Sequence, residues 1–219
     1  LRMSGLDSVK KTALVERHLI SPALTANTAS GAVLLERSES VSVMLNEEDR
    51  IREQCIVHGF DLPHAYGRLN VYDDRLLDEI PVAYDPELGF LTACPTNLGT
   101  GMRASVMLFL PALKLAGAIE DEVNRFVREY GMTVRGVYGE GSEAKGDMYQ
   151  ISNTRTLGVT EEEIISSVER AALEMCLRER EAREKLVRRK GAALYDKVAR
   201  SYGILTNAYK LTSAELMNM

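Results

Sequence analysis

A helix signal near the end of the chain constrains the fold most. Thr160 with Glu163 three residues later forms a capping box, and the pattern after it stays helical to Lys190, where Gly191 supplies a stop. Ile164, Ile165, Val168, Ala172 and Met175 recur at helical spacing and predict a core-facing stripe, while the charge-rich run 177–190 predicts a solvated face. Upstream, residues 32–36 and 40–45 read as two strands around the polar turn Arg37-Ser38-Glu39. Val41, Val43 and Leu45 alternate with Ser42 and Met44, the pattern of a half-buried strand. Residues 51–57, 88–93, 133–138 and 147–152 are also strand-like. Helical patterns cover 6–20, 62–80 and 119–130, and 192–210 reads as another helix and a turn. The apolar segment 103–116 predicts a buried helix kinked at Pro111. Strands grouped between long helices predict an α+β fold, taken as one domain over 1–219.

Composition excludes several functions. A net charge of -5 over 219 residues lacks the basic footprint of a nucleic-acid binder. No apolar run approaches the roughly 18 residues of a membrane span. The start, Leu1-Arg2-Met3-Ser4, has no apolar leader segment and no initiator methionine, so the chain reads as a fragment. Cys55, Cys94 and Cys176 are scattered and odd in number, with no metal-ligand spacing, which fits a reducing cytoplasm. Cys55 and Cys176 read as buried and structural.

Three polar islands stand at the ends of predicted strands: Asn46-Glu47-Glu48-Asp49-Arg50-Ile51-Arg52, Cys94 to Arg103, and Arg135-Gly136-Val137-Tyr138-Gly139-Glu140-Gly141. Convergent arginines neutralise a polyphosphate, and bidentate guanidinium–phosphate geometry suits that task. Paired glutamates suit a cationic guanidinium. A site with both sets can bring a triphosphate to a guanidinium, the positioning and electrostatics of phosphoryl transfer. Asn97-Leu98-Gly99-Thr100-Gly101 is expected to bring backbone N–H groups to phosphate where a helix begins. Gly139-Glu140-Gly141-Ser142-Glu143-Ala144 spells a dinucleotide fingerprint, but a strand rather than a helix follows it, and there is no P-loop motif.

NEEDxxR, CPTNLGTGxRASV and RGxxGE, in this order and spacing, resemble the signature blocks of the phosphagen (guanidino) kinases over about residues 14–200. The resemblance implies an antiparallel sheet flanked by helices, with ATP and nucleotide-bound Mg²⁺ as cofactors. It makes Arg52, Arg103 and Arg135 phosphate-binding arginines. Glu48 and Glu140 become the guanidinium clamp, with Cys94 as the reactive cysteine beside it. It places Glu47 near the hydrated Mg²⁺ and His18 on the nucleotide. All these groups are expected to converge on one cleft, and no residue is expected to ligate a metal directly.

Glu16 to Pro22, Tyr138 to Ala144 and Arg200 to Leu205 are similar to the bacterial branch of the family that phosphorylates arginine in proteins. That branch implies protein substrates bearing arginine, an activator protein, and a place in stress response and proteolysis; a homodimer is a separate expectation, and a kinase of small guanidino compounds or a non-catalytic nucleotide-binding regulatory relative are the alternative readings. Neither nucleic acid nor membrane enters. The family's upstream SSRxR-type block and the branch's C-terminal phosphoarginine-recognition region are expected outside the chain. Arg50, Met107 and Phe109 stand where relatives carry histidines.

Overall fold

Val41, Ser42, Val43 and Met44 are all buried, so the strand they form has protein on both faces; the half-buried reading of it is corrected. This strand, β2 (Val41–Leu45), lies between β1 (Ala32–Leu35) and β3 (Ile51–Cys55) in an antiparallel sheet. Leu45 faces Ile51 across the last β2–β3 pair, which leaves residues 46–50 as the connecting turn. Met44 joins a core of Met3, Leu14, Leu19, Ile20, Leu24 and Val33, with Leu14 supplied by α1 (Ser8–Glu16). Asp7 starts α1 by accepting the Lys10 N–H. Asp61 does the same for α2 (Leu62–Glu79), accepting from the His64 N–H, and α2 packs against β3. The Glu36 carboxylate ties the β1–β2 turn to α2, accepting from Arg68 at 2.7 Å and from Tyr72 at 3.0 Å. The strand expected over 88–93 shrinks to β5 (Gly89–Phe90), paired with β4 (Tyr84–Asp85).

The computed structural model describes residues 1–136 and 145–219. The elements above belong to one compact unit, Leu1–Met102 with Thr156–Val159; a second comprises Arg103–Arg155 with Thr160–Met219. In the second unit β6 (Ser105–Phe109) and β7 (Met132–Gly136) flank β8 (Met148–Asn153), all pairings antiparallel. The helix expected over 103–116 is therefore corrected: its first half is β6, and only Pro111–Leu115 is helical, as α3. Pro111 begins this helix rather than kinking it, since its missing N–H costs nothing at the first position. The amphipathic segment forms α4 (Ile119–Tyr130), closed by Gly131 at φ 61°.

Thr160 and Glu163 form the expected capping box of α5 (Glu161–Asn207). Ile164, Ile165, Val168, Ala172 and Met175 are buried, and α5 packs on β6, β8, α3 and α4. The stop expected at Gly191 is instead a kink one residue earlier, Lys190 at φ -131°, after which helix resumes. A short α6 (Ser213–Asn218) follows. The solvated reading of 177–190 fails at Glu179, which is 4% exposed. Its two carboxylate oxygens accept the Ala112 and Leu113 N–H groups, each at 3.0 Å, and so cap α3 from α5. Cys55 is half-buried and Cys176 exposed, which corrects the reading of both as buried. Helices thus flank antiparallel sheets, an α+β fold. Among the described residues, no helix is long and apolar enough to cross a membrane.

Candidate active site

The turn at 46–50 folds around its own side chains. Asn46 adopts φ 57°, a conformation asparagine tolerates, and its N–H donates to the Arg50 carbonyl at 2.9 Å. Glu47 points inward, its side chain only 6% exposed. Its carboxylate accepts from Ser21 Oγ at 2.6 Å, from the Glu48 N–H at 2.9 Å and from Arg52 Nη1 at 3.3 Å. Burial pushes this carboxyl upward, but the Ser21 and Glu48 hydrogen bonds and the Arg52 charge outweigh it and hold the group below its ordinary value. Glu47 therefore stays ionised and orients Arg52, whose side chain is half exposed on β3. Glu48, next in the chain, is exposed.

His18 sits in the segment after α1 at φ 57° and is exposed. Its carbonyl accepts from Gln54 Nε2 on β3, two residues from Arg52. With Ser21 on Glu47, this brings the His18 segment to the acidic turn.

Cys94 precedes a single helical turn, Pro95–Asn97, and its Sγ lies 3.0 Å from Thr96 Oγ1. Thr92 Oγ1 donates to the Cys94 carbonyl at 2.8 Å. The loop beyond is held from far away in sequence: Thr156 Oγ1 donates to the carbonyls of Thr96 at 3.0 Å and Leu98 at 2.7 Å. Gly99 adopts φ 105°, and a Cβ there would stand 2.3 Å from the Thr156 carbonyl oxygen. The expectation that this loop offers its N–H groups to phosphate at a helix start needs correcting. The N–H groups of Asn97, Leu98, Gly99, Thr100 and Met102 already donate within the protein. The loop leads into β6, not a helix. Close backbone packing requires the glycine at 99.

The acidic turn and the cysteine loop meet at Asp49, whose Oδ1 accepts the Ala93 N–H at 2.6 Å. His18, Glu47, Glu48, Arg52 and Cys94 are thereby linked within the first unit. Arg103 and Arg135 belong to the second. Arg103 stands two residues before the start of β6; Arg135 lies on β7 and pairs with Gln150 of β8, itself paired with Met107 of β6. These three residues share one sheet face. Glu140 lies outside the described residues, as does the rejected dinucleotide fingerprint. Sequence reasoning assigned no role to Ser21, Asp49 or Thr156. Asp49 was legible only as part of the acidic run, and nothing local marks Thr156.

Residues 1–182 match the sequence model of the ATP:guanido phosphotransferase C-terminal catalytic domain. The chain belongs to this family. Among curated relatives of this guanido phosphotransferase chain, the protein-arginine kinase of Caldanaerobacter subterraneus subsp. tengcongensis is 45% identical over 217 residues, covering 99% of this chain and 64% of the relative. That of Geobacillus sp. (strain WCH70) is 47% identical over 218 residues, covering 98% and 59%. The chain thus spans less than two thirds of the length of these relatives. Among solved structures, the duplicated taurocyamine kinase from Schistosoma mansoni with bound transition-state-analogue components aligns with a TM-score of 0.67 at 28% identity, over 80% of this chain and 25% of that one. Lombricine kinase aligns with a TM-score of 0.69 at 23% identity over 82% and 52%, a likeness of fold.

Proposed function

We propose that this guanido phosphotransferase chain is part of an enzyme that transfers a phosphoryl group from ATP to arginine side chains of proteins. One observation carries the choice of acceptor. The similarity to protein-arginine kinases covers 99% of the chain and so extends past residue 182, where the general family match ends.

The donor set suits the reaction. Arg52, Arg103 and Arg135 hold the nucleotide phosphates as charge-assisted donors, with His18 on the nucleotide. Among the described residues no group of three or more His, Cys, Asp or Glu could hold a metal ion. A magnesium carried by the nucleotide would take most of its ligands from phosphate and water. Bound there, it would neutralise charge on the transferring phosphoryl group. Glu47, engaged by Ser21 and Arg52, acts first by orienting Arg52 and can meet the metal's water shell only with its remaining acceptor capacity.

Glu48 and Glu140 serve the acceptor. A protonated guanidinium has no free lone pair, and its pKa exceeds about 12. Something must orient it and accept a proton as the N–P bond forms. A carboxylate does both, taking two N–H bonds in a fork. Cys94 adds polarity beside the same group. The chain is one catalytic domain, and the protein substrates, an activator and a second copy of the chain are its partners in the cytoplasm.

The test is Glu140→Gln in the full-length enzyme, with the rate of phosphoarginine formation measured beside ATP affinity. The substitution keeps the shape and removes charge and basicity. Phosphorylation should fall by orders of magnitude with ATP affinity nearly unchanged. A near-normal rate ends the clamp assignment, and wild-type enzyme that forms no phosphoarginine ends the proposed activity.

A further inference from the structure

We propose that Asp49 is a positioning residue that sets Cys94 against Glu48; the consequence for catalysis rests on the function proposed above. Glu48 precedes Asp49 and Cys94 follows Ala93, so the bond from the Ala93 N–H to Asp49 Oδ1 joins the immediate neighbours of both groups. At 2.6 Å it is short, as expected for a charged acceptor. Adding one Cα–Cα step of about 3.8 Å on each side keeps the Glu48 and Cys94 backbones within roughly 14 Å, a span their side chains and one guanidinium can fill.

Each side of this link is pinned independently. The turn is fixed by Ser21 on Glu47, by Glu47 on the Glu48 N–H and by Asn27 Nδ2 donating to the Asn46 carbonyl at 2.8 Å. The cysteine side is fixed by Thr92 on the Cys94 carbonyl and by Thr156 on the carbonyls of Thr96 and Leu98. Two stiff segments, 44 residues apart where they touch, need one directed bond to hold their relative register. A carboxylate is suited because it is anionic and is held by its own backbone turn. Asp49 does not touch the reacting atoms in this scheme; it decides where two groups that do so stand.

The experiment compares Asp49→Ala and Asp49→Asn with wild type in the full-length enzyme. It reads kcat and KM for an arginine-bearing substrate, ATP affinity, and the iodoacetamide alkylation rate of Cys94, separated from Cys55 and Cys176 by peptide mapping. Asp49→Ala should lower kcat/KM for the arginine substrate about tenfold or more and speed Cys94 alkylation, with ATP affinity within about twofold. Asp49→Asn keeps only a neutral acceptor and should recover most of both effects while leaving a deficit of about threefold against wild type. A wild-type alkylation rate and KM in Asp49→Ala, or an equal loss toward ATP and arginine, overturns the proposal. If Asp49→Ala does not fold, Asp49→Asn decides: a small shift confined to the arginine side and to Cys94 supports it, and no shift overturns it. Wild-type enzyme without arginine phosphorylation removes the proposed function, while the alkylation comparison still judges the link from Asp49 to Cys94.

Discussion

Gly99 shows how one residue can serve a site without touching a ligand. Its φ of 105° is open to few side chains, and a Cβ would meet the Thr156 carbonyl at 2.3 Å. Both penalties fall on backbone that cannot step aside, because Thr156 also holds the Thr96 and Leu98 carbonyls. Gly99→Ala should therefore destabilise the protein by more than about 2 kcal/mol, read as a lower urea midpoint. An unchanged midpoint would show that the loop relaxes freely. The CPTNLGTG spelling made these residues legible as special, but the reason read from sequence, phosphate binding by loop N–H groups, differs from the one the fold supplies. The glycine's partner lies 57 positions away, and no local pattern announces a contact of that range.

At the scale of elements, Glu179 couples α5 to α3. It is buried in a helix of charged neighbours and accepts two N–H groups that would otherwise be orphaned at the start of α3. Glu179→Ala leaves both donors buried and unpaired, at a cost of about 2–4 kcal/mol, while Glu179→Gln keeps one acceptor and should cost about half as much. Chemical denaturation of the two variants checks the order; equal and small losses would contradict the capping role. Sequence could not mark Glu179, because a charge run looks the same whether or not one member turns inward. The segment 103–116 failed for a related reason. Val106, Met107, Leu108 and Phe109 are apolar on both faces of β6, so no alternation distinguishes strand from buried helix. Where periodicity or caps were explicit, at β2, α4 and the start of α5, the elements stand where the residues placed them.

At the scale of the whole molecule, the fold holds a titratable weak point on β3, next in sequence to Arg52. Glu53 Oε2, on β3, is buried with no hydrogen-bond partner among the described residues. Burial first, and then the Asp73 charge, push its carboxyl up to about 7 from an ordinary 4.5. In the unfolded chain the group loses its proton near its ordinary value. Its contribution to stability is thus present below about pH 4.5 and lost as pH rises through about 7. Thermal unfolding from pH 5 to 8 should show wild type losing stability relative to Glu53→Gln. Parallel curves would mean that Glu53 is hydrated.

The family was legible from three short blocks because phosphoryl transfer needs arginines and carboxylates in a fixed order. The proposed acceptor rests on resemblance alone, since one guanidinium would look like another to the proposed pair of glutamates. The measurement that tests it most directly is mass spectrometry of a denatured test protein incubated with ATP and the full-length enzyme. Acid-labile phosphate on arginine side chains, absent with Glu48→Gln, is the predicted result. ATP consumed with phosphate appearing only on a free guanidino compound, or on no residue of the protein, would contradict it.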